Sequence, residues 1–565
     1  MTITLKATQV VVIGLGAAGG TAVMPLAQAG LDVVGLEAGP RYTTADYATD
    51  EIRQSNWNWL GQPKVNHEVP TWRQLPTQEA AGVAAQGGAM ILMNNGVGGS
   101  SIHWGSQSWR YLPWNFATRS QTIARYGASA IPADSTVADW PLTYDDLEPY
   151  YDKVEYLHGE SGQAGNIQGV IQPGGNPLEA PRSRAYPNPP LRAAGWPTLI
   201  ANATTRMGYH PFPQPSLIRS QPYQGMPACT YCNLCSSNGC YIDAKGGTQL
   251  AGIPQAEATG HLTVMPGARV TQINVDANGR ATGVTFLQGG QEYFQPATVV
   301  ILSTYVYENV RLLLLSTSPA FPNGLSNNHG QVGKHFISHL YGGVNGLFSG
   351  KALNAFNGTT GQAIAVDDFN ADNFDHTGLD FIGGGYAFFS TGHAAISSAQ
   401  SAPPSLGGWG SEWKAWLKAN TNSIGSTTLQ MEALSYDDQF LDLDPVARDP
   451  QGFPVVRVTA RFHDQELARH RYIYAKAEAM LKEAGATETW AGGLSVSPTE
   501  PRPVPVNSHA YGGTRMGTDL AQSVVYGYGV SHEVPNLMIL GGSAWPTSTG
   551  YNPTKVDHGL VVAGC

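Results

Sequence analysis

The sequence predicts a large α/β protein whose first element is a Rossmann-like βαβ unit. An apolar run at residues 9–13 indicates a buried strand, a glycine-rich turn and a helix at about 17–29 follow it, and residues 32–36 form a second apolar run. At 565 residues, the chain is long enough for several domains, or for one large domain with a second one built into it.

Later segments predict further strands and one long helix. The Pro/Gly-rich stretches 161–196 and 397–410 are interpreted as surface loops or lids. Strands are expected at 262–265, 269–275, 282–287, 298–303 and 454–459, with turn residues at 277–280 and a helix at about 464–484.

Composition excludes several classes of function. The net charge is −10 and no run of Lys or Arg exists, so the chain lacks the basic surface that binds nucleic acid or an anionic membrane. Disorder is excluded too, because 42% of the residues are hydrophobic and 13 are Trp. Small molecules and proteins remain as partners.

The first thirty residues resemble a targeting segment only superficially. No charged residue lies between Lys6 and Asp32, as in a signal peptide or a membrane helix. The apolar core that insertion needs is, however, broken at Gly14, Gly16, Gly19, Gly20 and Pro25. We therefore expect no export signal of the chain's own and no membrane span.

Residues 14–19 (GLGAAG) match the G-x-G-x-x-G dinucleotide motif. The first glycine permits the tight turn, the second lets the backbone approach a pyrophosphate at a helix N-terminus, and the third allows close helix–strand packing. Glu37 follows Gly19 by 18 residues, at the end of the second strand, where it would take ribose hydroxyls. A purely structural glycine turn is the alternative, and the motif alone does not distinguish FAD from NAD.

Four of the five cysteines lie in one short run. Their spacing resembles the ferredoxin pattern C-x2-C-x2-C-x3-C, with one extra residue before the last cysteine. An iron–sulfur cluster is favoured, and zinc or a disulfide pair are the alternatives. The predicted ligands are Cys229, Cys232, Cys235 and Cys240, whereas Cys565 stands apart.

Six segments resemble the glucose–methanol–choline (GMC) oxidoreductases, in family order and over nearly the whole chain. The branch they resemble most is that of the flavoprotein subunits of gluconate, glucose, fructose and glucoside-3 dehydrogenases, with pyranose oxidase more distant. The segments are 37–41 (EAGPR), 96–105 (GVGGSSIHWG), 140–151 (WPLTYDDLEPYY), 332–335 (VGKH) with His339, 512–517 (GGTRMG) and 552–554 (NPT).

This resemblance implies an α+β architecture overall, in which a substrate-binding domain on an antiparallel sheet is inserted into a Rossmann-like FAD-binding domain. The expected FAD domain is discontinuous and includes a Cys-rich loop at 229–240. Its segments are 1–160, 225–330 and 500–565, and the substrate domain is 336–495.

The resemblance also assigns the reacting pair. His509 matches the catalytic histidine, a suitable base for removing a hydroxyl proton while hydride passes to flavin N5, and a core histidine is the alternative. Asn552 matches its partner, whose amide can hold the substrate oxygen. His103 matches the position joined covalently to flavin in pyranose oxidase, or it is a packed histidine that makes no such bond.

The predicted cofactor contacts combine the glycine motif with the matching family segments. They are Gly14, Gly16, Ala17, Gly19, Glu37, Ala38, Arg41, Gly98, Gly99, Ser100, Ser101, His103, Trp104, Val270, Ser543, Asn552, Pro553 and Thr554. After this last motif the chain departs from its relatives, because Lys555-Val556-Asp557-His558 stands where they have an apolar helix.

The function implied is FAD-dependent oxidation of a sugar, sugar acid or glycoside. A [3Fe-4S] cluster on three of the four cysteines would pass electrons to a cytochrome c subunit or another one-electron acceptor. A small subunit with an export signal is the second implied partner, so the location is periplasmic by co-export, or cytoplasmic. The alternatives are an oxygen-reducing, pyranose-oxidase-like enzyme and a non-catalytic electron-carrier or assembly subunit.

Overall fold

The computed structural model describes residues 1–52, 69–82, 93–235, 238–355, 358–391, 399–492, 497 and 504–565. Its helices are α1 (Ala17–Gln28), α2 (Pro113–Phe116), α3 (Thr118–Tyr126), α4 (Tyr144–His158), α5 (Gly195–Arg206), α6 (Ile253–Ala258), α7 (Val306–Leu315), α8 (Gly410–Asn420), α9 (Asp464–Glu483) and α10 (Thr554–Gly564). Its strands are β1 (Ile3–Thr4), β2 (Thr8–Ile13), β3 (Val33–Glu37), β4 (Thr71–Arg73), β5 (Ala81–Gly82), β6 (Asn166–Ile167), β7 (Val170–Ile171), β8 (Phe212–Pro213), β9 (Leu262–Pro266), β10 (Arg269–Val275), β11 (Ala281–Gln288), β12 (Gln291–Leu302), β13 (Ile337–Ser338), β14 (Leu340–Leu347), β15 (Ile364–Val366), β16 (Gly385–Phe389), β17 (Ile424–Met431), β18 (Phe440–Arg448), β19 (Pro454–Thr459), β20 (Glu488–Ala491), β21 (Ala510–Tyr511) and β22 (Leu537–Ile539).

The predicted βαβ unit is present and lies in the middle of the first sheet. The strand order is β10-β11-β12-β2-β3-β9, with β1 and β22 also paired to β12. β2 pairs in parallel with β3 and with the second half of β12, while the first half of β12 pairs antiparallel with β11. The predicted strand at 298–303 is therefore only the end of a longer one.

Close packing between α1 and the sheet depends on the third motif glycine. A Cβ on Gly19 would lie 1.9 Å from the carbonyl oxygen of Gly14 and 2.5 Å from Oγ of Ser303. No other residue type fits such a space, because real Cβ contacts are more than an ångström longer. Gly14 itself has φ +84°, which the tight turn requires.

The second large sheet is antiparallel, as the resemblance implies, and has the order β20-β14-β17-β16-β15-β8. Helices α5 and α9 pack on it and bury Trp196 and Leu481, both 0% exposed. Most of its strands lie within 336–495, but β8 and α5 come from earlier in the chain. A smaller sheet, β18-β19-β4-β5, stands beside α7.

A buried ionic cluster fastens α10 to α4. Nζ of Lys555 lies 2.9 Å from Glu155 and 2.7 Å from Glu160, and all three side chains are 0% exposed. Arg110 and Arg182 also pair with Glu155. Burial raises the pKa of Glu155, yet these three cations outweigh it and hold that pKa well below its usual range. The cluster thus keeps the start of α10 in place.

We expect Lys555→Met to destabilise the fold by about 3–5 kcal/mol, because it leaves two buried carboxyl groups without their shared cation. Urea unfolding followed by circular dichroism measures the effect. Lys153→Met is the matched control, since this lysine of α4 is exposed and lies over the ring of Tyr150 at 4.9 Å, away from the buried cluster. Equal stability of the two variants would contradict the assigned role of the cluster.

Candidate active site

A cavity of about 420 Å³ lies between the carboxyl ends of β2 and β3 and the strands β14 and β17 of the antiparallel sheet. Most of the predicted cofactor contacts lie on its wall. These are Gly14, Gly16, Ala17, Glu37, Ala38, Gly99, Ser100, Ser101, His103, Trp104, Val270, Asn552, Pro553 and Thr554.

Four predicted contacts lie off that wall. Gly19 and Gly98 support the two glycine turns from behind, and the amide of Gly98 donates to the carbonyl of Leu15 at 2.8 Å. Ser543 is buried, and its Oγ accepts from Asn309 at 2.8 Å. Arg41 instead forms a surface ion pair with Glu257 at 2.6 Å.

At one end of the cavity, Glu37 is held by backbone amides. Leu15 and Gly39 donate to its two carboxylate oxygens at 3.0 and 2.9 Å. Burial raises its pKa to about 7, although these hydrogen bonds lower it. A carboxyl group fixed in this way at the end of β3 is placed to accept hydrogen bonds from the hydroxyls of a ribose.

In the middle of the cavity, two backbones meet without side chains. A Cβ on Gly99 would lie 2.6 Å from Cα of Gly16. Gly98 and Gly99 have φ +104° and +54°, so the turn at 98–102 also needs glycine for its conformation. His103 follows this turn, 4% exposed. Its covalent attachment to flavin stays a prediction.

At the other end, His509 faces the cavity between two ring neighbours. Its Nδ1 lies 3.0 Å from Nδ1 of His339 and forms a short contact with the hydroxyl of Tyr341. Burial, with a smaller effect from His339, lowers the pKa of His509 well below its ordinary value. The imidazole is therefore neutral, as a base must be.

Asn552 lies on the same part of the wall, and the oxygen of its side-chain amide already has hydrogen-bond partners. Its Oδ1 accepts from Nε1 of Trp109 at 3.0 Å and from the hydroxyl of Tyr386 at 2.8 Å. Two donors on one oxygen fix which way the amide points. The Nδ2 group is thus left to donate into the cavity.

Among the wall residues near His509, sequence reasoning missed Tyr341 and Gln430. Tyr341 on β14 and Tyr386 on β16 both pair with Gln430 on β17, so the three side chains form a row on one face of the sheet. Gln430 is 3% exposed, and its Oε1 has no hydrogen-bond partner among the described residues. A lone polar residue between Leu429 and Met431 was the only sequence indication.

The wall also includes Asp557, from the first turn of α10. Burial raises its pKa to about 8, and its Oδ1 has no partner in the part of the chain that the structure describes. The first turn of α10 therefore adds a neutral carboxylic acid to the cavity.

The cysteine run lies directly behind the cavity wall. Nζ of the buried Lys245 donates to the carbonyls of Trp104, Cys235 and Asn238 at 3.0, 2.7 and 2.6 Å. Sγ of Cys235 lies 3.0 Å from Oγ1 of Thr359. The loop is therefore fastened to the wall next to Trp104.

The described residues give the predicted iron–sulfur cluster no support. All five cysteines have free thiols. Within 1–52, 69–82, 93–235, 238–355, 358–391, 399–492, 497 and 504–565, no group of three or more His, Cys, Asp or Glu side chains is arranged to hold a metal ion. The predicted ligation by Cys229, Cys232, Cys235 and Cys240 stays a prediction. A search of the same residues for helices long and apolar enough to cross a membrane found none.

Comparison with known proteins supports the predicted family. A profile described as GMC oxidoreductase matches residues 437–557. The gluconate 2-dehydrogenase flavoprotein of Pantoea cypripedii is 33% identical over 579 aligned positions, which cover 99% of this chain and 92% of that protein. The 2-methyl-1,2-propanediol dehydrogenase of Mycolicibacterium austroafricanum is 27% identical, with coverages of 100% and 95%.

The fold is shared with a solved structure as well. Pyridoxine 4-oxidase from Mesorbium loti superposes with a TM-score of 0.61 at 14% identity, over 99% of this chain and 98% of that chain. Identity of 33% over nearly the full length goes further than a shared fold. The chain belongs to the GMC oxidoreductase family, and it is an FAD-dependent oxidoreductase that acts on CH–OH groups.

Proposed function

We propose that this protein is a dehydrogenase that oxidises a hydroxyl of a sugar, sugar acid or glycoside. The observation that supports this best is the polar group at one end of the cavity, where a neutral base, an oriented amide and an unpartnered amide face the same space. These are His509, Asn552 and Gln430. Three such groups suit a substrate with several hydroxyls, since an alkyl chain would leave them unpaired.

The residues of the cavity fit FAD. The meeting of Gly16 and Gly99 leaves room for a ligand to lie against bare backbone, and Glu37 stands where a ribose would end. The wall between these points and His509 is continuous. When bound, FAD supplies the acceptor for the hydride of the carbinol carbon.

The protein's own contribution is to move one proton and to hold one oxygen. His509 takes the hydroxyl proton, because its lowered pKa keeps the imidazole neutral at physiological pH. Nδ2 of Asn552 donates to the same oxygen and cannot compete for the proton. The oxygen is thereby fixed while the C–H bond is broken.

The relatives support the substrate class. Gluconate and 2-methyl-1,2-propanediol, after which two of them are named, both carry a second hydroxyl next to a carbinol carbon. We propose that Gln430 binds such a neighbouring hydroxyl, because its side chain lines the cavity and its Oε1 has no hydrogen-bond partner among the described residues.

Electrons are proposed to leave for a one-electron acceptor, with a cytochrome c subunit and a small co-exported subunit as the predicted partners. The support is positional: Lys245 connects the cysteine loop to the cavity wall at Trp104. The alternative acceptor is oxygen, as in an oxidase.

We expect His509→Ala to keep FAD but lose turnover, because the variant lacks the imidazole that takes the hydroxyl proton. Flavin absorbance and anaerobic flavin bleaching with glucose, gluconate, fructose, sorbitol and glucosides measure the two properties. His329→Ala is the control, since that exposed histidine pairs with Glu533 on the surface.

In the wild type, kcat/KM should fall only below pH 6.5, because the pKa of His509 in the folded protein is depressed and protonation of its imidazole removes the base. Turnover by His509→Ala, or an acid limb above pH 6.5, would remove His509 from this role.

We expect Gln430→Leu to lower kcat/KM by about 10- to 100-fold on the best polyol of that panel, the effect of one lost hydrogen bond. An analogue without the neighbouring hydroxyl should be converted equally well by both enzymes. Gln214→Leu is the matched control, because Gln214 is also buried with an unpartnered amide but lies off the cavity. An equal loss on both substrates would show that Gln430 does not bind the second hydroxyl.

For the acceptor, we expect anaerobically purified protein to contain iron and sulfide, to give a low-temperature EPR signal, and to reduce a dye much faster than it makes peroxide. At least three of the four variants Cys229→Ser, Cys232→Ser, Cys235→Ser and Cys240→Ser should lose the signal, and Cys565→Ser should keep it. A protein free of iron that forms peroxide as fast as it reduces dye would establish the oxidase alternative.

A further inference from the structure

His339 stands directly behind the proposed base. It is 0% exposed, and its Nδ1 lies 3.0 Å from Nδ1 of His509. Its Nε2 forms a short hydrogen bond with the backbone carbonyl of Thr549. The backbone holds the two rings together as well, since the amide of His339 donates to the carbonyl of His509 at 3.0 Å.

The position of each proton in this chain of contacts is determined by the carbonyl at its end. A carbonyl only accepts, so Nε2 of His339 must carry a hydrogen. Burial lowers the pKa of His339 to about 4, although the bond to Thr549 raises it, so the ring is neutral near pH 7. A neutral imidazole has one N–H, and Nδ1 of His339 therefore holds a lone pair.

The same reasoning determines which ring nitrogen of His509 carries the hydrogen. Two lone pairs cannot face each other at 3.0 Å, so Nδ1 of His509 carries the hydrogen between the two rings. The lone pair of His509 is then on Nε2, which makes no hydrogen bond within the described part of the chain and lies on the ring that lines the cavity.

We propose that His339 is a positioning residue that selects the tautomer of His509, so that Nε2 of His509 is the atom that accepts the substrate proton. This role rests on the proposed function, whereas the tautomer itself does not. Thr549, through its carbonyl, is the fixed end of the arrangement.

Tyr341 is what makes the selection necessary. Its hydroxyl is also in contact with Nδ1 of His509, and burial holds the pKa of Tyr341 well above its usual value, so it keeps its proton. If that hydroxyl donated to Nδ1, then His509 would present an N–H to the substrate and could not act as a base. With His339 in place, the oxygen of Tyr341 must accept instead.

Histidine NMR tests the tautomer without any turnover. FAD-loaded enzyme labelled with ¹⁵N-histidine should show His509, assigned by its absence in His509→Asn, with the hydrogen on Nδ1. In His339→Leu the only ring partner left is Tyr341, and the hydrogen should move to Nε2. A hydrogen on Nε2 in the wild type, or no change in His339→Leu, would overturn the proposal.

Kinetics then test the consequence. His339→Leu should lose on the order of 10³- to 10⁴-fold in kcat/KM at unchanged FAD content, which is the scale for a catalytic histidine held in the wrong tautomer. His339→Gln should restore much of the activity, because an amide can donate to Thr549 and accept from His509. The double variant His339→Leu with Tyr341→Phe should also exceed His339→Leu, since it lacks the competing hydroxyl proton.

His335→Leu is the matched control and should stay near wild type, because this buried histidine of the same segment contacts Thr136 and Gln331 and lies off the cavity. Equal losses in His335→Leu and His339→Leu, or no rescue by either second change, would reduce His339 to a packing residue. If no sugar bleaches the flavin, the proposed function fails while the NMR result still decides the tautomer.

Discussion

The contact between Gly16 and Gly99 is the constraint on which the rest of the site depends. Two turns from distant parts of the chain approach until a single added carbon would lie 2.6 Å from a backbone atom. One turn begins α1 and the other precedes His103 and Trp104, so their contact joins the nucleotide-binding edge of the parallel sheet to the wall beside the reaction. Lys245 and the cysteine loop are fastened to that same wall. A side chain at Gly99 would separate these parts.

The reacting end of the cavity lies against the antiparallel sheet, and hydrogen bonds rather than glycine contacts hold its side chains in place. There, nearly every polar atom that does not face the substrate space already has a partner: Tyr341 contacts His509, and Tyr386 and Trp109 occupy the oxygen of Asn552. Buried polar groups with satisfied partners have one orientation, which is what positioning requires. Gln430, whose side chain also lines the cavity, stands between the two tyrosines, and its oxygen has no partner among the described residues.

The sequence allowed prediction of those features that depend on local spacing. The βαβ unit, Glu37, His509 and Asn552 all belong to short motifs or follow one at a fixed distance, and the structure brings all three residues to one cavity. Tyr341, Gln430 and His339 could not be assigned, because strand pairing brings them to the site from separate segments. Arg41 is the opposite case. Its motif matches and predicts a cofactor contact, but its guanidinium forms an ion pair with Glu257, which is distant in the sequence.

The buried cluster around Lys555 has a consequence for how the holoenzyme is made. The segment from β22 to the first turn of α10 contributes Gly541, Gly542 and Asn552 to the cavity. It is held in place by the carboxylates of Glu155 on α4 and Glu160 just after it, and by pairing with β12. This part of the wall is therefore missing until synthesis has passed residue 557. Flavin loading is then a late event, because the cavity is complete only after β22 has paired with β12 and Lys555 has reached its two carboxylates.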